Sequence, residues 1–274
     1  MNWATNHDAS LDALKLVQGS LKVELMMVPR EDFVTCTPDE TAAQVKARNL
    51  HQFSYFPVVN GDKRVIGLYH AERWFTEDAP ETRISHDFAP LSEDIVIGAD
   101  ASIFDFVMQA DTHPTNLVVS GNQIAGLVSL SDLQKLPVRA SLFALITSLE
   151  MAMALAIERN WKAPADWMNL LSDGRKQKLK DAIDDAKKRD SFVSEIAFAQ
   201  LSDKAGVICK SNLLNEGRNK LGKTFRDIER LRNKVAHADQ YAATPETAKS
   251  VCRAVRSIYS MKANLLKVIE AKES

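Results

Sequence analysis

The first half of the chain repeats itself, and that repeat constrains the fold more than the composition does. Residues 33–35 have the character of a strand, 39–50 the spacing of a helix, 55–59 and 64–68 of two further strands, and 71–75 of a short helix. The same order returns at 95–97, 101–111, 116–119, 123–128 and 131–136. The copies lie roughly 60 residues apart, and one such unit cannot close its own core without the other. Asn60-Gly61-Asp62 and Ser120-Gly121-Asn122 separate the paired strands, and Asn-Gly-Asp between apolar runs is a strong hairpin signal. Ahead of the first copy, 11–21 is spaced as an amphipathic helix and 23–29 as an extended lead-in. Between the copies, 76–90 is a polar linker with two prolines.

The order of elements, with Phe56-Pro57-Val58-Val59 and Gly126-Leu127-Val128-Ser129-Leu130-Ser131-Asp132, resembles a tandem pair of CBS domains over residues 20–136. The resemblance implies an α+β module that holds an adenine nucleotide (AMP, ADP or ATP) as a regulatory ligand in the cleft between the copies. It also implies a Gly-hydrophobic-X-Ser/Thr-X-X-Asp signature, which Gly126, Ser129 and Asp132 meet in the second copy. The chemistry of these residues suits the role. Gly126 lets backbone approach a ligand closely. Ser129 can donate to a phosphate oxygen. Asp132, near a helix start, can accept both ribose hydroxyls, where backbone N–H groups favour an anion. An ordinary helix N-cap is the other account of Ser131-Asp132. In the first copy the same places hold Gly67, His70 and Arg73, without the ribose carboxylate. That half-site is either empty or offers His70 and Arg73 to a phosphate, unless both are simply solvated.

The net charge of −1 conceals an asymmetry. Residues 1–138 carry 10 Lys+Arg against 19 Asp+Glu, and residues 139–274 carry 25 against 17. A basic half joined to an acidic half points to a polyanion such as RNA as partner of the basic half. Seven of the nine prolines precede residue 140, so the seam falls near Pro137. The expected organisation is a lead-in at 1–22, the tandem pair at 23–138 (copies 23–78 and 86–136) and an all-α helical bundle at 139–274. In that bundle 140–160 is a long apolar helix and 161–171 a short helix or loop. The run 174–190 is a charged, solvated stretch, and 192–210 is an amphipathic helix. Thr244-Pro245-Glu246 opens the last helix in good N-cap fashion.

The segment from Asn219 to His237 carries the candidate chemistry. On a helical wheel Leu221, Phe225, Ile228 and Val235 share one face, and Arg232 falls among them. Lys220, Lys223, Arg226, Arg230 and Lys234 face the other way. An arginine on an apolar face costs several kcal/mol unless it is paired or reaches a polar cleft. Glu150 is one candidate partner, and a catalytic site is the alternative. His237 follows five residues on, and an imidazole is a side chain that can carry a proton either way near neutral pH. Arg232-Asn233-Lys234-Val235-Ala236-His237, near the end of the penultimate helix of an all-helical region, resembles the RX4-6H motif of HEPN domains. The resemblance implies a homodimer that builds one cleft from two motifs and cleaves RNA without a metal. His237 would then move the 2′-OH or 5′-oxygen proton, Arg232 would hold the phosphate and Asn233 would orient either. Lys223, Arg226, Arg230 and Lys234 would supply salt-dependent affinity for the RNA backbone. In a regular helix Arg232 and His237 lie roughly 140° apart, so the helix must end or distort there.

Other classes are disfavoured. No G-X-X-X-X-G-K-S/T loop occurs. Cys36, Cys209 and Cys252 are odd in number and far apart, which gives no disulfide framework and no metal spacing. No secretory signal and no apolar run of membrane-spanning length is read from the sequence, so a cytoplasmic protein without membrane contact is expected. The non-catalytic alternative is a nucleotide-sensing adaptor whose helical half dimerises or binds RNA or a partner. A toxin- or antitoxin-like role is a third possibility.

Overall fold

The computed structural model describes residues 16, 19–75, 77–189 and 194–271. Most of the helix expected at 11–21 lies outside them. Leu21–Val138 forms one compact unit, and the residues from Arg139 onward form another.

In the first unit the repeat becomes two small sheets that exchange strands. The elements run β1 (Val28–Pro29), α1 (Ala42–Arg48), β2 (Tyr55–Val59), β3 (Val65–His70), β4 (Ala89–Pro90), β5 (Val96–Gly98), α2 (Ile103–Val107), β6 (Thr115–Ser120) and β7 (Gln123–Ser129). One sheet has the order β2-β3-β4 and the other β1-β7-β6-β5. The lead-in of each copy is thus built into the sheet of the other, with Pro29 opposite Gly126 and Pro90 opposite Gly67. These contacts explain both glycines. A Cβ on Gly67 would lie 2.2 Å from the Ala89 carbonyl oxygen, and one on Gly126 would lie 2.5 Å from Met27 Sδ and 2.8 Å from the Val28 oxygen. Phe56, Val58, Tyr69 and Val45 fill the first copy's core. Val65 and Leu68 of β3 pack with Leu117 and Ile124 of the second copy. Capping boxes start both helices, Thr41 with Gln44 and Ser102 with Asp105.

One local expectation changes. Residues 33–35 form no strand. Arg30–Asp32 winds into a 3-10 turn just before them, and Cys36 alone makes a bridge, to Val58. The turn after β2 is where it was expected, with Lys63 left-handed (φ 57°). The Asn60 side-chain oxygen accepts from the Asp62 and Arg64 N–H groups at 3.1 and 2.9 Å, and this holds the loop closed.

Among its described residues the second unit consists of helices and the turns that join them, with no strand. It comprises α3 (Leu136–Asn160, whose first turn precedes the unit), α4 (Pro164–Met168), α5 (Asp173–Lys188), α6 (Leu201–Ser211), α7 (Arg218–Ala236) and α8 (Pro245–Glu270). Contrary to the sequence reading, α3 is long and apolar enough to cross a membrane by length and composition. However, 72% of its most apolar stretch is buried inside the protein, as in the central helix of a bundle. The charged run at 174–190 is a helix, α5, as far as Lys188, held to the bundle by Leu179 and Ile183, and Asp190 lies outside the described residues. Arg175 also grips the buried Asp203 carboxylate with two bonds of 2.7 Å. The single helix expected at 192–210 is instead a 3-10 turn (Glu195–Phe198) followed by α6. The break falls where Asp203 turns back to accept the Gln200 N–H at 2.8 Å and caps a new helix start.

Candidate functional site

The motif helix α7 buries Leu221, Phe225, Ile228, Leu231 and Val235, and it ends at Ala236. His237 is the cap residue, exposed, its N–H bonded to the Asn233 carbonyl at 3.0 Å. Ala238 turns left-handed (φ 57°), and the Asp239 N–H returns to the Lys234 carbonyl at 3.0 Å, the six-to-one bond of a Schellman ending. The helix therefore stops at the histidine, and its regular geometry does not fix the angle between Arg232 and His237.

Arg232 is half-buried, and Nη1 donates to Asn233 Oδ1 at 3.0 Å. Its proposed structural partner is taken. Glu150 accepts from the buried Lys204 Nζ at 2.8 Å, which also donates to the Ala199 carbonyl at 2.7 Å. Arg232 makes no ion pair with a carboxylate among the described residues. Of the expected backbone-binding residues, Lys223, Arg226 and Arg230 are exposed and Lys234 is half-buried. Arg230 is paired with Asp227 at 3.0 Å.

Sequence reasoning missed Arg139. From the first turn of α3 its guanidinium donates to the carbonyls of Lys234 (3.1 Å), Val235 (3.0 Å) and Asp239 (2.7 Å), the residues on either side of His237. It lies 4.9 Å from the centre of the buried Tyr241 ring. A cation on the last carbonyls of a helix also meets the negative end of its dipole. Burial pushes the Tyr241 hydroxyl up to about 12, a rise that the Arg139 charge opposes. The contact joins residues about a hundred apart, so no local pattern announces it.

In the first unit, Gly126 lies within β7, and Ser129 and Asp132 come together where that strand ends. Asp132 is buried, and one of its oxygens accepts from the Ser129 N–H (2.6 Å) and hydroxyl (3.1 Å). The other meets Lys135 Nζ at 2.9 Å. Lys135 also donates to the Met26 and Met27 carbonyls at 2.7 and 3.2 Å. Met27 occupies the space above Gly126. Ser129 and Asp132 thus form a helix cap, Lys135 ties it to the lead-in of the other copy, and Asp132 is held inward. Nearby in the fold, Thr115 opposes Ser129 across the hairpin. The Asn116 side-chain oxygen is buried without a hydrogen-bond partner among the described residues. At the matching place in the first copy, His70 stacks flat on Tyr55 at 4.5 Å and meets Glu72 at 3.2 Å. Arg73 pairs with Asp87 and covers Trp74.

Residues 24–73 match the family model of the CBS domain. No curated protein matches the chain. Among solved structures, the CBS domain of a bacterial CNNM/CorC-family Mg2+ transporter in complex with ATP is 18% identical, with a TM-score of 0.37 over 46% of this chain and 93% of that one. A hemolysin-like CBS protein of Oenococcus oeni is 19% identical (TM-score 0.35; 45% and 94% covered). The CBS domains of a Streptococcus pneumoniae transcriptional regulator are 22% identical (TM-score 0.34; 42% and 97%). The CBS match lies in the first copy, whereas the intact signature lies in the second. Lys135, the cation that holds the second copy's carboxylate, sits three residues after Asp132, a spacing at which a helical ion pair is legible.

Proposed function

We propose that the protein is an adenine-nucleotide sensor whose helical unit is a metal-independent, HEPN-type endoribonuclease, cytoplasmic and active as a homodimer. The observation that carries the catalytic part is the Glu150–Lys204 pair. It takes away the carboxylate that would have made Arg232 a structural residue, and it leaves the guanidinium beside Asn233 with an exposed imidazole at the helix end. His237 would take the 2′-hydroxyl proton as that oxygen attacks phosphorus. The bond to the 5′-oxygen breaks, and the imidazolium, or its counterpart in the second copy, returns a proton to the leaving oxygen. The products are a 2′,3′-cyclic phosphate and a 5′-hydroxyl end. Arg232 would hold the phosphate and balance the charge that builds on its oxygens, and Asn233 would keep the guanidinium in line. In the CBS part, an adenine nucleotide would take the Asp132 carboxylate for its ribose by drawing it away from Lys135, with Ser129 turned to the phosphate. A nucleotide gates cleavage only through different affinity for two arrangements of the protein.

The test is cleavage of mixed RNA by the purified full chain in EDTA, with and without ATP or AMP. Arg232→Ala and His237→Ala should abolish it while the fold persists, and full cleavage by His237→Ala would overturn the assignment. The competing reading, a non-catalytic adaptor, has its own support. Neither the cavity beside α1 nor the one between α7 and α8 is lined by Arg232 or His237. No cleavage under any nucleotide condition, together with a loss of stability in Arg232→Ala, would favour the adaptor.

A further inference from the structure

A groove of about 380 Å³ runs between the first half of α7 and the middle of α8. From α8, Arg253, Arg256, Ser257 and Ser260 line it at one-face helical spacing, and from α7 Lys220 and Thr224 face them. Leu221 and Met261 are its apolar lining, and both are buried. One acid intrudes: Glu216 pairs with Lys220 at 3.1 Å. Among the described lining residues, three cations and three hydroxyls stand against one carboxylate, which makes a net positive, polar trough. Its volume falls in the range of small-ligand sites, roughly 300 to 1,000 Å³.

Resting on the RNA reading above, we propose that this groove is an exosite for the phosphodiester backbone of single-stranded RNA, separate from the point of cleavage. At 1.5 Å per residue, Thr224 lies about 20 Å along α7 from His237. The groove therefore holds a phosphate several nucleotides from the one gripped by Arg232. Guanidinium forks and hydroxyls recognise phosphate oxygens and ignore base identity, so the groove positions a strand without selecting its sequence.

The test is fluorescence anisotropy with a labelled oligouridylate of about 12 nucleotides, which spans the distance, over a series of salt concentrations. The full chain carries His237→Ala so that the strand stays intact. Arg253→Ala with Arg256→Ala should raise Kd about tenfold near 0.1 M salt and lower the slope of log K against log salt by about 0.7 for each phosphate no longer neutralised. Ser260→Glu, an exposed change, should do the same should the double variant fold poorly. Arg253→Lys with Arg256→Lys should keep most of the affinity. If Ser260→Glu and the folded double variant leave Kd and slope unchanged while Lys223→Ala with Arg226→Ala weakens binding, the exosite is overturned and the ribonuclease reading stands. If the parent binds no RNA at about 0.05 M salt, the exosite is overturned and the cleavage assay alone judges the nuclease. Binding that depends on the groove, when the chain with His237 intact cleaves nothing, keeps the groove as an RNA-backbone site and removes the nuclease, and with it the groove's standing as an exosite.

Discussion

Removing the Arg232 guanidinium and removing the Glu150 carboxylate should have opposite consequences. Arg232 pairs with no carboxylate among the described residues and touches Asn233. Arg232→Ala should therefore cost less than about 1 kcal/mol of stability and should erase cleavage if the motif is catalytic. Glu150→Gln leaves the ammonium of Lys204, whose side chain is 6% exposed, facing a neutral group. It should cost about 2 kcal/mol and leave the motif untouched. Urea unfolding of both variants, read beside RNA cleavage, separates the two roles, and a large stability loss in Arg232→Ala would return that residue to the core. Ala238 offers a third test. It holds φ at 57° to close α7, a conformation costly for a side chain bearing Cβ. Ala238→Gly should raise the unfolding free energy by about 1 kcal/mol, and a loss of stability would show that the Ala methyl packs usefully.

At the level of elements, the sequence was most legible where the signal is local and least where it joins distant segments. The strands 55–59, 116–119 and 123–128, the hairpin turns and the Thr244 cap were readable because alternation, turn residues and capping chemistry act over a few residues. The exchange of lead-ins between sheets was not readable, since Gly67 and Gly126 declare a need for space without naming what fills it. Arg139 was invisible for the same reason, its partners lying about a hundred residues away. Arg139→Ala should cost about 2 kcal/mol. It should also speed hydrogen exchange at the amides of His237 and Asp239, which close the end of α7. Unchanged exchange there would mean that the Schellman turn holds without its cation. Likewise Gly67→Ala, where backbone oxygen and the Phe88 ring stand in the way, should destabilise the whole first unit by about 2 kcal/mol or more. One cooperative transition is expected there, because neither copy has a complete sheet alone.

For the molecule as a whole, the candidate site was legible only as residue types. Asp132 was found by signature, but its Lys135 clasp and the Met27 side chain over Gly126 depend on a chain that returns from the other copy. Each unit also carries a buried acid that should report on its own stability at high pH. In the first unit the Cys36 thiol is pushed from 9.0 up to about 12, chiefly by burial and further by the Glu40 charge, with Arg48 opposing. In the second, burial pushes the Tyr241 hydroxyl from 10.0 up to about 12. Both groups favour their protonated forms when folded, so between the unfolded and folded values the native state binds more protons than the unfolded state. Stability must then fall as pH rises. For Cys36 the loss should run from about pH 9 to 12, and for Tyr241 from about pH 10 to 12. Denaturant midpoints at pH 8, 9.5 and 11 should decline for both units, since burial also raises the Cys209 thiol of the second unit from 9.0. Cys36→Ser should remove the decline between about pH 9 and 10 from the first unit alone. A first unit whose midpoint holds level to pH 11 would show that its thiol already ionises in the native state, and hence that the packing of Val58, Phe56 and Tyr69 around it admits water.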